Sequence, residues 1–179
     1  MPLACNPGPI IGRNRLWRDM IIDAIERDPD WKGGEYTTQP RAGMREALGI
    51  QLIAGSAPAY LHHTLTDRDT VDRYLQGYLA QRAVGADAND MIYQLDASRD
   101  YDPSPGLERI AAPLVHVNSA DDFINPPELG IAEKAITRVP HGRFVLIPAS
   151  ERTRGHGTHT WAVFWQDDLR RLLAEAPRR

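Results

Sequence analysis

Two short apolar runs rich in β-branched residues, Pro113-Leu114-Val115-His116-Val117 and Arg143 to Pro148, constrain this chain more than any other feature in it. Between them Pro127 stands at a first helical position, with Leu129, Ala132 and Ile136 on one face. After them Trp161, Phe164, Trp165, Leu169 and Leu172 line the inward side of a last helix running from Thr160 to Ala174. Strand, helix, strand, helix in this order gives a parallel pair with a right-handed crossover. A parallel sheet must be covered on both faces, which two strands do not achieve alone. The fold class is therefore α/β, with two strands that call for a larger sheet.

The preceding hundred residues are patterned differently. From Arg13 to Arg27 the residues Leu16, Trp17, Met20, Ile21, Ala24 and Ile25 recur at one-turn spacing, and Asp28-Pro29 stops that helix. Trp31 to Pro40 reads as a loop, and Met44, Ala47, Leu48 and Leu52 mark a second helix weakened by Gly43 and Gly49. Thr66 with Asp69 forms a capping-box pattern ahead of Val71, Tyr74, Leu75, Tyr78 and Leu79, with Gly85 at the end. Asp87 caps a fourth helix to about Arg99, and Asp102-Pro103-Ser104-Pro105-Gly106 breaks the pattern. Met1 to Pro9 is too proline-rich for a helix, yet Leu3-Ala4-Cys5 suits the end of a buried strand.

Composition narrows the function classes. Lys+Arg 21 against Asp+Glu 24 leaves a net charge of −3, so no basic face invites nucleic acid. The longest apolar stretches, such as Phe144 to Ile147, fall far short of the roughly 20 residues a bilayer helix needs. Cys5 is the single cysteine and no leader pattern opens the chain, so a cytoplasmic location is the expectation. Arg178 and Arg179 read as a solvated tail.

In a parallel sheet, chemistry gathers outside the carboxyl ends of the strands. Two loops lie there, Asn118 to Pro127 and Ser150 to His159. A carboxylate from the first, Asp121 or Asp122, and an imidazole from the second, His156 or His159, then emerge at one edge. They form the acid and base half of a nucleophilic triad. The same residues read otherwise as a helix cap and exposed polar surface, and His156 with His159 and an aspartate as a zinc site that lacks a third ligand placed by any motif. His62, His63 and His116 read as packing or surface residues. No Gly-x-Ser-x-Gly elbow occurs; Ser56 in Ala54-Gly55-Ser56-Ala57-Pro58 lacks both glycines, and Cys5 reads as core.

Asp28-Pro29-Asp30-Trp31-Lys32-Gly33-Gly34-Glu35-Tyr36, Tyr74 to Arg82, Asp87-Ala88-Asn89-Asp90-Met91-Ile92-Tyr93, Asp100-Tyr101-Asp102 and Asp121 to Pro127 together resemble the homoserine O-acetyltransferase family of the α/β-hydrolase fold. The resemblance runs from about Asn14 to Leu173. It implies the C-terminal part of that fold: a strand remnant over 1–9, a helical cap over 10–105 and a core segment over 106–179. It implies Asp122 as the catalytic acid, four residues before Pro126, with Asp121 as second choice. Gly155-His156 matches the family's Gly-His, with His159 as second choice because Gly157-Thr158-His159 departs from the pattern. The family's serine has no counterpart here, so the chain alone is expected to be inactive. The implied reaction carries acetyl from acetyl-CoA through the serine to a homoserine-type hydroxyl, a step of methionine biosynthesis, with no metal or resident cofactor and with a homodimer formed through the cap helices. A related ester hydrolase and a non-catalytic interaction module are the competing expectations.

Overall fold

The computed structural model of the chain describes residues 1–176; the Arg178 and Arg179 tail lies outside the described residues. Its elements run α1 (Gly12–Glu26), α2 (Arg41–Gly55), α3 (Pro58–Thr64), α4 (Arg68–Ala83), α5 (Ala88–Asp96), β1 (Leu114–Ser119), α6 (Ile131–Ile136), β2 (Gly142–Ile147) and α7 (Gln166–Glu175). Two compact units result. One comprises Ile10–Ala54 and His62–Tyr101; the other comprises Met1–Pro9, Gly55–Leu61 and the chain from Asp102 onward.

In the first unit α1 buries Trp17, Ile21, Ala24 and Ile25 and packs along α5. Its last turn also meets the first turn of α2, and Gly43 permits the contact: a Cβ there would lie 2.5 Å from the Ala24 carbonyl oxygen. The glycine that weakens α2 by propensity is the residue that lets it dock. Asp28, buried at this junction, accepts from the Gly43 N–H at 2.8 Å and the Asp30 N–H at 3.0 Å. It thereby satisfies one of the N–H groups that the first turn of α2 leaves without an intrahelical partner. The loop after α1 is tied to the start of α5. Asp87 accepts from the Tyr36 hydroxyl at 2.7 Å and Gln39 Nε2 at 2.6 Å, while Trp31 Nε1 donates to Asn89 at 3.0 Å.

The capping box of α4 sits one residue later than the Thr66/Asp69 pattern: Asp67 accepts from the Thr70 N–H at 2.8 Å and Thr70 Oγ1 accepts from the Asp67 N–H at 3.2 Å. With Asp67 at the N-cap the stronger acceptor occupies the capping position. Of the stripe read on α4 only Leu79 is buried; Val71 is exposed, and Tyr74 stacks on Tyr78. The α3 helix, absent from the sequence reading, starts with Pro58 at its first position.

In the second unit β1 and β2 pair in parallel, with Leu114 opposite Gly142 and Ser119 opposite Ile147. Leu3 forms a parallel bridge to Val117 on the other side of β1, held by Ala4 N–H to Val117 O at 2.8 Å and Val117 N–H to Pro2 O at 3.1 Å. Val115, Val117, Ile147 and Leu172 make the core, with Met1, Leu3, Val145, Phe164 and Trp165 packed against it. Two helices read from the sequence are interrupted. Gly130, at φ 63°, separates a turn at Pro127–Leu129 from α6. In place of one helix from Thr160 to Ala174, extended backbone at Trp161 and non-helical backbone at Trp165 leave a turn over Ala162–Phe164 and then α7, with another turn over Gly155–Thr160 before them. Trp161, read as inward, is 49% exposed as a result. No helix among the described residues is long and apolar enough to cross a membrane.

Candidate active site

Parallel pairing brings the ends of β1 and β2 level, and the Ala120 N–H reaches the Ile147 carbonyl at 2.8 Å, so the loops that follow both strands start side by side. Asp122 lies in the first loop. Its Oδ1 accepts from the Ile124 N–H at 2.8 Å and the Asn125 N–H at 3.0 Å, an Asx turn that fixes the carboxylate through its own backbone. The loop is anchored further by Asn118 Nδ2 to the Asn125 carbonyl and by Asn125 Nδ2 to the Ala4 carbonyl, each 2.7 Å. These bonds leave Oδ2 pointing at His156.

His156 Nδ1 lies 2.9 Å from Asp122 Oδ2. The Asp122 side chain is 0% exposed and that of His156 25%, so the pair is rooted in the interior and opens to solvent on the imidazole side. Because a carboxylate oxygen accepts, Nδ1 carries the proton and Nε2 keeps its lone pair, the form in which a histidine acts as base. The bond also balances the imidazolium that forms when Nε2 takes a proton.

The two second-choice residues go elsewhere. Asp121 accepts from the Ser119 hydroxyl, which makes a short contact to Oδ1; the Thr153 hydroxyl at 2.7 Å and the Gly155 N–H at 3.3 Å face its Oδ2. His159 Nδ1 donates to the His156 carbonyl at 2.5 Å, its ring lies edge-on to that of His156 at 5.0 Å, and Trp165 Nε1 donates to the His159 carbonyl. His159 thus supports the backbone of His156. Among the described residues no cluster of three or more His, Cys, Asp and Glu side chains could hold a metal ion.

Three further residues support the histidine loop, and two of them were invisible in the sequence. Gly155 has φ +57°, and a Cβ there would lie 2.7 Å from the Ser56 carbonyl oxygen. Arg154 places its guanidinium 3.4 Å from the Tyr60 ring centroid and 5.0 Å from that of Trp161. Thr158 Oγ1 accepts from the Arg154 N–H at 2.8 Å and is itself buried. Only the glycine before the histidine offered a signal. Cys5 and His116 form a separate contact, 4.0 Å between Sγ and Nε2; burial pushes the thiol up and the imidazole down from their ordinary ranges. Both are thus held neutral, which is the opposite of a thiolate and imidazolium pair.

No family model matches the chain. In sequence it is similar to the homoserine O-acetyltransferases of Geotalea uraniireducens (32% identical over 125 residues, 58% of this chain and 34% of the relative) and Pelobacter propionicus (30% over 142 residues, 68% and 37%). In structure, homoserine O-acetyltransferase from Bacillus anthracis superposes on 97% of the chain with a TM-score of 0.82 at 18% identity, and 52% of that protein is covered. Esterase E22 does so on 96% with a TM-score of 0.80 at 16% identity, 53% of it covered. The chain has a partial α/β-hydrolase fold. This α/β-hydrolase chain resembles the homoserine O-acetyltransferases in sequence, and it spans about a third of the length of the curated relatives it matches.

Proposed function

We propose that the chain is the C-terminal portion of an α/β-hydrolase enzyme that transfers or hydrolyses acyl groups through a Ser-Asp-His triad, with Asp122 as the acid and His156 as the base. The observation that carries this reading is the 2.9 Å bond between a buried carboxylate and a half-open imidazole at the carboxyl edge of the sheet. The serine hydroxyl adds to an acyl carbonyl as His156 Nε2 takes its proton, and the imidazolium returns that proton to the leaving group as the tetrahedral species collapses to acyl-serine. A hydroxyl acceptor, or water, then repeats the cycle and frees the serine. Acetyl-CoA and a homoserine-type hydroxyl are the donor and acceptor suggested by the relatives, and neither half-reaction calls for a metal or resident cofactor. A homodimer through the cap helices completes the reading of partners, and the cytoplasm is the proposed location.

These 179 residues contain no Gly-x-Ser-x-Gly, and the chain alone is accordingly inactive. Ester hydrolysis is the second reading, favoured by the similarity to esterase E22 and by Gly157-Thr158-His159 after the histidine. The test assays the chain by itself, and joined to the polypeptide encoded upstream of Met1, with acetyl-CoA plus homoserine and with simple acetyl esters. Activity is expected only for the joined form, falling roughly 10⁶-fold in His156→Ala. Turnover by the chain alone, abolished by the same substitution, contradicts the proposal. Full activity of the joined form without His156 contradicts its central assignment.

A further inference from the structure

We infer that Asp121 is a positioning residue for His156, a carboxylate that ties the histidine loop to the end of β1. This rests on the reading of His156 as the base. Adjacent in sequence, Asp121 and Asp122 take up separate tasks: Asp122 turns Oδ2 to the imidazole, and Asp121 turns both oxygens to groups that hold the backbone in front of it. Ser119 Oγ, on the last residue of β1, donates to Asp121 Oδ1. On Oδ2 converge the Thr153 hydroxyl at 2.7 Å and the N–H of Gly155, the residue before the histidine, at 3.3 Å.

Thr153 is fully buried, and its hydroxyl has one proton for two acceptors at 2.7 Å, Asp121 Oδ2 and the Ser150 carbonyl. The carboxylate makes the stronger, charge-assisted bond. The Thr153 oxygen also accepts from the Ser150 N–H at 2.9 Å, so the strap closes the turn after β2. Gly155 is held from its other side as well, since a Cβ there would meet the Ser56 carbonyl oxygen at 2.7 Å and the Asp121 carbonyl oxygen at 3.2 Å. Every side-chain contact of Asp121 is a donor facing an acceptor oxygen. An asparagine would therefore oppose its amide N–H₂ to at least one of these donors.

The test follows the His156 Nδ1–H proton by NMR in the 179-residue chain, together with the methyl signals of Val115, Val117, Ile147 and Leu172. In the wild type this proton is held against exchange by Asp122. Asp121→Asn and Thr153→Val are expected to speed its exchange at least tenfold or broaden it away while the core methyl signals stay in place, and Thr153→Ser, which keeps the hydroxyl, restores it. Wild-type exchange in both Asp121→Asn and Thr153→Val overturns the inference. If Asp121→Asn does not fold, the Thr153→Val and Thr153→Ser pair decides alone: loss with rescue supports the strap, and identical exchange in the two overturns it. Asp122→Asn separates this from the reading beneath it, because retention of the protected proton there defeats the dyad itself.

Discussion

At the scale of single residues, neighbours of the same type divide the work, and local backbone geometry decides which does what. Asp121 and Asp122 are chemically alike; the Asx turn that Asp122 closes onto Ile124 and Asn125 aims its second oxygen at His156. Spacing brought both carboxylates and both histidines to one sheet edge but held no information about that turn. The support from Thr153 and Arg154 was equally hidden, since a buried threonine and a stacked arginine in a polar loop look like surface. Gly155 gives the first prediction. An alanine there combines a left-handed backbone with a clash against the Ser56 carbonyl, so Gly155→Ala destabilises the chain by about 1–3 kcal/mol in urea titration and disturbs His156.

His116 gives the second. Burial lowers its imidazole below the ordinary 6.5, so the unfolded chain binds a proton that the folded chain refuses. The stability that goes with the neutral ring is complete above the unfolded value and is lost as pH falls from there through the folded one. Urea midpoints should fall from pH 7.5 to pH 5, and His116→Gln should flatten that slope. Asp28, held below the usual carboxylate range first by the Gly43 N–H, and Asp87, held there first by the Tyr36 hydroxyl, act in a second window. Their contribution is present above the ordinary carboxylate value near 3.8 and disappears as pH falls through their lowered values.

At the scale of elements, α4 and α5 were legible because an aspartate cap opens each, and α1 because its apolar spacing runs up to the Asp28-Pro29 stop, whereas the final helix was not. Its apolar residues keep helical spacing through Trp161, but the extended backbone there sends that ring to the surface, where it stacks against Arg154. The motifs of the family resemblance acquire a physical meaning at this scale. The Trp31 to Tyr36 loop and the Asp87-Ala88-Asn89 cap, more than fifty residues apart in sequence, are hydrogen-bond partners. Two caps can be compared directly. Asp67 serves only its own helix, so Asp67→Ala costs about 1 kcal/mol. Asp87→Ala removes the cap of α5 and the anchor of Tyr36 and Gln39 together, and should cost more in the same denaturation experiment.

At the scale of the whole molecule, the decisive element is the sheet of the second unit. Among the described residues it consists of two parallel strands and the single bridge at Leu3, a small sheet for a fold whose strands are normally covered and paired. The edge beside Met1 to Cys5 favours association, so sedimentation should show mass rising with concentration; a monomer that unfolds in one cooperative step contradicts this. The α/β class and the β-α-β-α order were readable from two apolar runs, and the need for a larger sheet followed from them. The central claim is the dyad, and the ¹⁵N chemical shifts of the His156 ring in this chain test it most directly. One tautomer of this ring, protonated at Nδ1 and unprotonated at Nε2, is predicted in the wild type and is lost in Asp122→Asn; a ring that averages its two tautomers, unaffected by that substitution, would contradict it.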